Sequence, residues 1–457
     1  MIDYNNKKHI FSKQNRTSNP LRIFIGLLII LGLLFVIRGF NTGKIISPFS
    51  PTPTPTRTLN SYSLEGDTQF KAGNLEKAIE AYQNALKVEP NNAELWAKLA
   101  RIQVYSTTQI TTDAAKRTRL QQAFASIDKG LAVSPDDSML YAVKAFASDW
   151  YGNQSIAGDD WQKYLNQGEQ DAVEALQLDN TNDLAKAYYS ELLVDQQKWD
   201  EADQYMSQVL QKESDQMDIY RIAGYVQESR GNYTQAIEYY QKAITLSPNM
   251  NSLYLSIGAN YRKLADLSQN TPTRLLNYNN ALDMFAKAVK INEQQGVKDP
   301  IPLISIANTY VQMGEFFSAG RNMVKAVQYN PSDPTVYGQL GIVYYKSRNY
   351  EGAIPALKCY VSGCTAAESC YVRNGGEDCD PDNIPNIPIQ GQALSQNSVA
   401  YYFTYASDLA GLHQDSNKYC DQAMPLFKQI SAAFSGDSSI MSIISEGEGI
   451  CANYGYK

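Results

Sequence analysis

The residues best suited to chemistry in this 457-residue chain are its six cysteines, which all fall after position 358. They are Cys359, Cys364, Cys370, Cys379, Cys420 and Cys451. An even number of clustered cysteines is typical of disulfide bonds in a protein outside the reducing cytoplasm. A zinc site with four cysteine ligands is the alternative, but the spacing C-x4-C-x5-C-x8-C differs from that of zinc ribbons and knuckles. We therefore expect disulfides, and no metal or other cofactor.

Residues for catalysis are scarce in this sequence. Histidine, the commonest acid–base catalyst, occurs only at His9 and His413, and His9 lies in the N-terminal tail. A histidine-based triad or a zinc-hydrolase site therefore has little basis. Three aspartates between 378 and 382 alternate like the start of a calcium loop, but Ile389 stands where the bidentate glutamate should be. The sequence predicts no catalytic residues and no enzyme activity.

The last two cysteines lie symmetrically about a predicted helical turn. Cys420 lies 15 residues before the Ser435-Gly436 turn (420 to 435), and Cys451 lies 15 residues after it (436 to 451). In an antiparallel helical hairpin, residues equally far from the turn lie side by side, which predicts a Cys420–Cys451 disulfide. The other four cysteines can pair in three ways, of which Cys359–Cys364 with Cys370–Cys379 closes the shortest loops.

Most of the chain consists of paired helical patterns, and the stretch 217–248 shows the unit best. Apolar and small residues recur at three- and four-residue spacing in two runs, which predicts two helix faces. Gly231-Asn232 separates the runs as a tight turn, and Pro248 ends the second run. The residues of the two stripes are Tyr220, Ala223, Gly224 and Gln227, followed by Tyr233, Ala236, Ile237, Tyr240, Ala243 and Ile244.

This unit resembles the tetratricopeptide repeat (TPR), a helix pair of 34 residues with small and aromatic residues at fixed positions. Roughly eight copies occupy 59–360, and three of them, at 96–135, 141–175 and 254–288, carry about eleven extra residues, close to three helical turns. We expect longer helices there. The resemblance implies an all-α fold, a right-handed α-solenoid of about eight to nine TPR helix pairs with a C-terminal capping helix.

The N-terminal region differs from the repeats. An uncharged core from Ile23 to Ile37 lies between Arg22 and Arg38, whose side chains can snorkel. A membrane anchor is expected; a cleaved signal peptide and a buried helix are the alternatives, although no small-x-small cleavage site follows the core. Because basic residues are more numerous before the core than after it, the N-terminus is predicted to be cytoplasmic and the repeats extracytoplasmic.

The sequence predicts six consecutive segments. They are a basic cytoplasmic tail (1–20), a transmembrane signal anchor (21–40), a Pro/Thr-rich linker (41–58), the TPR solenoid (59–360), a cysteine-containing acidic and proline-rich loop (361–397), and a degenerate TPR with the capping helix (398–457).

The TPR resemblance implies that the concave surface, lined by the first helix of each repeat, binds a protein or peptide partner. Six residues between the packing positions are predicted to face this groove: Phe146, Tyr225, Glu228, Arg262, Asn308 and Tyr345. A net charge of −7 without a basic stripe argues against nucleic acid. We expect a membrane-anchored extracytoplasmic scaffold that organises an envelope complex; the alternative is a surface protein that self-associates.

Overall fold

The computed structural model describes residues 19–42 and 59–456. Nearly all of the predicted basic tail, and all but the first two residues of the predicted Pro/Thr-rich linker, lie outside the described residues. The chain divides into two compact units, Met1–Arg57 and Thr58–Lys457.

In the first unit, the described residues form one apolar helix, α1 (Pro20–Asn41). Its large apolar side chains are exposed. The apolar stretch Pro20–Gly39 contains 20 residues, and at about 1.5 Å per residue it matches the roughly 30 Å hydrocarbon core of a bilayer. By length and composition α1 is able to cross a membrane, and an N-terminal signal sequence has the same properties.

In the second unit, consecutive helices pack in eight pairs between Leu59 and Val361. The pairs are α2 (Leu59–Lys71) with α3 (Leu75–Val88), α4 (Ala93–Ser106) with α5 (Asp113–Val133), α6 (Ser138–Tyr151) with α8 (Trp161–Leu178), α9 (Asp183–Asp195) with α10 (Trp199–Val209), α11 (Met217–Ser229) with α12 (Tyr233–Leu246), α13 (Asn251–Leu267) with α14 (Thr271–Gln295), α15 (Ile301–Met313) with α16 (Phe316–Tyr329), and α17 (Pro334–Lys346) with α18 (Tyr350–Val361).

A ninth pair and a final helix end the solenoid. Helix α20 (Val399–Gly411) packs on α21 (Cys420–Phe434), and α22 (Ser438–Ala452) packs on both. The predicted all-α, right-handed solenoid of eight to nine helix pairs with a capping helix is confirmed.

Small residues on the first helix of a pair lie directly against an aromatic ring of the second. A Cβ atom placed on Gly224 would lie 2.8 Å from the ring of Tyr240, and one on Gly258 would lie 2.5 Å from the ring of Phe285. A larger residue at either glycine would push the helices apart, because a packed core has no room for extra atoms. The spacing of small and aromatic residues in the sequence therefore indicates how closely the two helices of a pair pack.

The three long repeats have extended second helices, as their spacing predicted. Helices α5, α8 and α14 contain 21, 18 and 25 residues, whereas α12 contains 14. In the third pair, part of the extra sequence forms a short helix, α7 (Gln154–Ala157), and a 3-10 turn, Gly158–Asp160, between α6 and α8. This inserted segment is fastened to the neighbouring pair, because Arg117 Nε donates a 2.7 Å hydrogen bond to the Ile156 carbonyl.

Between the eighth and ninth pairs the chain forms one short helix, α19 (Ala366–Arg373), and an extended segment. Cys364 and Ile389 form an antiparallel bridge, with both N···O distances 2.9 Å, and Ile389 is buried. In the acidic stretch, the Asp380 carboxylate accepts hydrogen bonds from the Asp382 amide and the Asn383 side chain. That aspartate therefore stabilises a local turn.

All six cysteines form disulfide bonds: Cys359–Cys364, Cys370–Cys379 and Cys420–Cys451. The pairing predicted from helical-hairpin symmetry is confirmed, with the Cα atoms of Cys420 and Cys451 5.7 Å apart. The shortest-loop pairing of the other four cysteines is confirmed as well.

Candidate partner-binding surfaces

The first helices of the second to fifth pairs meet on the inner side of the solenoid around one buried carboxylate. Asp218 on α11 is fully buried and accepts hydrogen bonds from Arg101 and Tyr105 on α4 and from Tyr188 on α9. The donor-to-acceptor distances are 2.9 Å from Arg101 Nε, 2.7 Å from the Tyr105 hydroxyl and 2.6 Å from the Tyr188 hydroxyl. Residues more than a hundred positions apart are thereby joined, since Arg101 and Asp218 are separated by 117.

A second ion pair and a set of aromatic rings complete this inner cluster. Arg221 donates two hydrogen bonds to the Glu191 carboxylate, at 2.7 and 2.6 Å. Its guanidinium also lies 5.3 Å from the Tyr105 ring centroid, within the range of a cation–π interaction. The rings of Phe146 and Tyr188 stack, with centroids 4.4 Å apart and planes 11° apart. We define the inner cluster as Arg101, Tyr105, Phe146, Trp150, Tyr188, Glu191, Asp218 and Arg221.

The loop ends of more distant pairs also touch. Gln295, at the end of α14, donates a 3.0 Å hydrogen bond to the carbonyl of Gly73, in the first pair, and Gln109 donates a 2.9 Å hydrogen bond to the Gln295 side chain. Gly73 lies so close to Asn249 that a Cβ atom there would be 2.5 Å from the Asn249 carbonyl oxygen. The first pair therefore contacts the sixth across one turn of the superhelix.

Because of these contacts, the first helices of the N-terminal half do not line an open groove. Phe146 is fully buried in the inner cluster and offers no surface to a partner, so the prediction that it faces the groove is wrong. The prediction assumed that first-helix positions between the packing residues face solvent. In this part of the chain they face the next turn of first helices instead.

Two further predicted residues are half-buried and already hydrogen-bonded within the protein. The Tyr225 hydroxyl donates a 2.5 Å hydrogen bond to Asp195. The Glu228 carboxylate accepts 2.9 Å hydrogen bonds from Tyr240 and Asn260. Both side chains thus stabilise the contact between neighbouring repeats.

The other three predicted residues lie on α13, α15 and α17. Arg262 is half-buried, with its guanidinium 5.7 Å from the Phe285 ring centroid, and burial lowers its pKa. Asn308 is exposed, and Tyr345 is 37% exposed. Of these three residues, Tyr345 lines a well-formed cavity.

The cavity beside Tyr345 lies where the eighth pair, the ninth pair and the capping helix meet. It has a volume of about 420 Å³, and the rings of Tyr345 and Tyr350 form one wall, with centroids 5.5 Å apart. Asp408 of α20 and Glu446 of α22 line it with carboxyl groups, and Phe403 adds a third ring. A cleft of this size that combines aromatic walls with converging polar groups is typical of a binding site.

Asp408 is the residue of this cavity that the sequence analysis missed. It is buried, and its Oδ2 atom has no hydrogen-bond partner among the described residues. Burial raises the pKa of Asp408 to about 7. The one signal in the sequence is a lone acid within the apolar run of α20, V-A-Y-Y-F-T-Y-A-S-D-L-A-G, and nothing local shows that the acid faces a cavity.

Comparisons with known proteins agree with this architecture. Family models for the TPR repeat and the tetratricopeptide repeat match residues 66–104 and 190–251. These two stretches thus match tetratricopeptide repeats, and the described residues 59–456 form an α-helical solenoid of paired helices, which is the class of protein that the fold defines.

Solved structures of helical-repeat proteins resemble the chain at low sequence identity. The human IFIT1 dimer with PPP-AAAA is 14% identical with a TM-score of 0.53, over 88% of this chain and 92% of that one. An IFIT1 monomeric mutant with Gppp-AAAA is 14% identical with a TM-score of 0.52, over 86% of this chain and 80% of that one. A thermophilic TPR protein of Thermus thermophilus is 19% identical with a TM-score of 0.36, over 44% of this chain and 98% of that one. The likeness to IFIT1 shows the fold alone.

Proposed function

We propose that this protein is a membrane-anchored, extracytoplasmic TPR scaffold that binds a protein or peptide partner and organises an envelope complex. The observation that carries the proposal is the combination of α1, an apolar helix long enough to span a bilayer, with three disulfides further along the chain. Disulfides persist in oxidising compartments, whereas cytosolic proteins keep their thiols reduced. The excess of basic residues before the apolar core supports the same orientation.

The surface around Tyr345 is the best candidate for the partner. The inner face of the N-terminal half is occupied by the inner cluster, whereas the cavity at the C-terminal end is lined by three aromatic rings and two carboxyl groups. These side chains suit an apolar or cationic side chain of a bound protein. The inner face is poorly suited to binding phosphate groups, because Arg101 and Arg221 are each neutralised by a buried carboxylate.

Orientation is tested by adding protease to intact spheroplasts that contain the full chain. The repeats should be digested while the N-terminal tail stays protected. Survival of the repeats until the membrane is lysed would overturn the extracytoplasmic assignment.

Partner binding is tested by affinity capture of the full chain from native membranes. We expect Tyr345→Ala to reduce recovery of the partner several-fold, since aromatic anchors dominate interfaces. Tyr371→Ala is the matched control, because Tyr371 is 36% exposed, much like Tyr345, but lies on α19 away from the cavity. If both variants reduce recovery of the partner equally, the cavity beside Tyr345 is not the binding site. Light scattering that shows concentration-dependent polymers would favour self-association instead.

A further inference from the structure

A second cavity, of about 480 Å³, lies where the inserted segment of the third pair meets its neighbours. It is lined by residues from the 3-10 turn Thr107–Gln109 that follows α4, the first turn of α5, the segment 152–161, the first turns of α8 and the ends of α6 and α9. An ordinary repeat needs only a short turn at this point, such as Arg230–Asn232 between α11 and α12. The residues that lengthen the second and third pairs therefore build a cavity as well as extending helices.

The cavity contains a pair of carboxyl groups that no cation neutralises directly. Asp149 and Asp195 both line it, and their side chains lie within hydrogen-bond reach of each other. Asp149 is only 4% exposed, and its Oδ1 atom has no partner among the described residues. A buried polar atom without a partner costs about 1–3 kcal/mol, so its persistence calls for an explanation.

The cations near this pair are bound to other acids. Arg221 forms its two hydrogen bonds with Glu191, and Lys116, which lines the cavity, lies 3.8 Å from Asp113. On the remaining side, the Tyr225 hydroxyl donates to Asp195. Burial raises the pKa of Asp149 well above its ordinary value, and the Asp195 and Glu191 carboxylates raise it further. A cation bound beside the pair would therefore favour the ionised form that burial and the neighbouring carboxylates disfavour.

Two indole rings supply the rest of the site. Trp150 and Trp161 both line the cavity, and both are half-buried. Trp150 is held in place by a 3.2 Å hydrogen bond from its indole nitrogen to Glu191 and by edge contacts with Phe146 and Tyr105. Aromatic faces beside carboxylates attract ammonium and guanidinium groups, because the electron-rich faces add to the charge attraction.

We propose that this cavity binds an alkylammonium or guanidinium group between the Asp149–Asp195 carboxyl pair and the rings of Trp150 and Trp161. Such a group belongs either to a small free amine or to a lysine or arginine side chain of a partner protein. Binding of the cation favours the ionised form of both carboxyl groups, so a proton held between them passes to the buffer and the net charge of the site stays at −1.

Calorimetric titration of the detergent-solubilised full chain tests the proposal. The probes are 1,4-diaminobutane, an N-acetyl-lysine amide and 1,4-butanediol, which matches the diamine in length but carries no charge. We expect at least one amine to bind, with proton release and with an affinity that falls as the pH is lowered, and we expect no binding of the diol. Preference for the diamine identifies a small-molecule site, and preference for the lysine amide identifies a site for a partner's side chain.

Two matched variants locate the binding. Asp149→Asn keeps the shape of the side chain and should weaken amine binding by about tenfold or more. Asp171→Asn should leave it unchanged, because Asp171 is as buried as Asp149 but pairs with Lys144 and lines neither cavity. The proposal is overturned if neither amine binds, if the diol binds as well as the amines, or if Asp149→Asn has no effect. Should Asp149→Asn fail to fold, Trp161→Ala provides the same comparison at the rim, again with a weakening of about tenfold expected.

Discussion

Asp218 shows how one carboxylate holds distant repeats together. Burial alone would raise its pKa, but the charge and hydrogen bonds of Arg101, together with the hydroxyls of Tyr188 and Tyr105, outweigh burial and lower the pKa to about 2. Because the folded-state pKa is lowered, the stabilisation is present above the ordinary aspartate pKa of about 4 and is lost as the pH falls towards 2.

Replacing Asp218 with alanine should be among the most destabilising single changes. Asp218→Ala leaves the Arg101 guanidinium without its carboxylate, and the Tyr105 and Tyr188 hydroxyls without this acceptor, at a cost of about 3–5 kcal/mol. Urea unfolding measures this loss. The matched control is Asp215→Ala, since Asp215 is exposed three residues earlier and should cost less than about 0.5 kcal/mol. Similar midpoints for the two variants would contradict the role of Asp218.

Asp408 gives a pH dependence of the opposite sign. Its pKa is raised to about 7 by burial, so folding is favoured while the carboxyl group is protonated, and this contribution is lost as the pH rises from about 4 through about 7. We expect Asp408→Asn to raise the melting temperature more at about pH 8 than at about pH 5. The exposed Asp415→Asn should show no such difference. A larger gain at the lower pH would mean that Asp408 is ionised in the folded protein.

The sequence predicts the packing environment of some residues better than that of others. Gly224 and the buried Ala236 follow from helical spacing, and Gly224 packs against Tyr240, which is nearby in the chain. Phe146 and Asp218 do not, because their surroundings come from other repeats. The same holds for Asp149 and Asp408, whose unpartnered oxygens become apparent only when three or more helices have been placed around them.

At the scale of the element, the C-terminal hairpin illustrates a structure that sequence symmetry predicts well. Cys420 begins α21 and Cys451 lies in the last turn of α22, so their equal distance from the intervening turn brings the two thiols together. The inserted segment between α6 and α8 illustrates the opposite. Its extra residues were expected to lengthen helices, but Asn153 caps α7 and Gly158 adopts a φ of 62°, so the chain turns there.

Removing the Cys420–Cys451 disulfide should loosen the end of the solenoid. In the chain-entropy model, a crosslink across 31 residues contributes about 3–4 kcal/mol, whereas the Cys370–Cys379 crosslink, across 9 residues, contributes about 2–3 kcal/mol. We therefore expect Cys420→Ala/Cys451→Ala to lower stability more than Cys370→Ala/Cys379→Ala. Hydrogen exchange should show the added opening in α21 and α22. Faster exchange spread evenly over all repeats would contradict a local cap.

At the scale of the second unit, comparing two equivalent glycines measures how much the contact between the first and sixth pairs stabilises the fold. Gly73 and Gly231 occupy the same turn of their repeats, with φ angles of 73° and 80°, so alanine strains both backbones alike. Only Gly73 meets another repeat, at Asn249, whereas Gly231 faces open space. Gly73→Ala should therefore lower the melting temperature more than Gly231→Ala and increase the radius of gyration in X-ray scattering. Equal effects would mean that this contact adds nothing to stability.

The closed inner face also bears on how the protein reaches its fold. In an open repeat array each unit contacts only its neighbours, so folding can start anywhere and spread. Here the Arg101–Asp218 and Gly73–Gln295 contacts span 117 and 222 residues. Such distant pairings raise the contact order, which slows folding. The first to sixth pairs should consequently fold and unfold as one cooperative block, while the C-terminal pairs retain the stepwise behaviour of an open array.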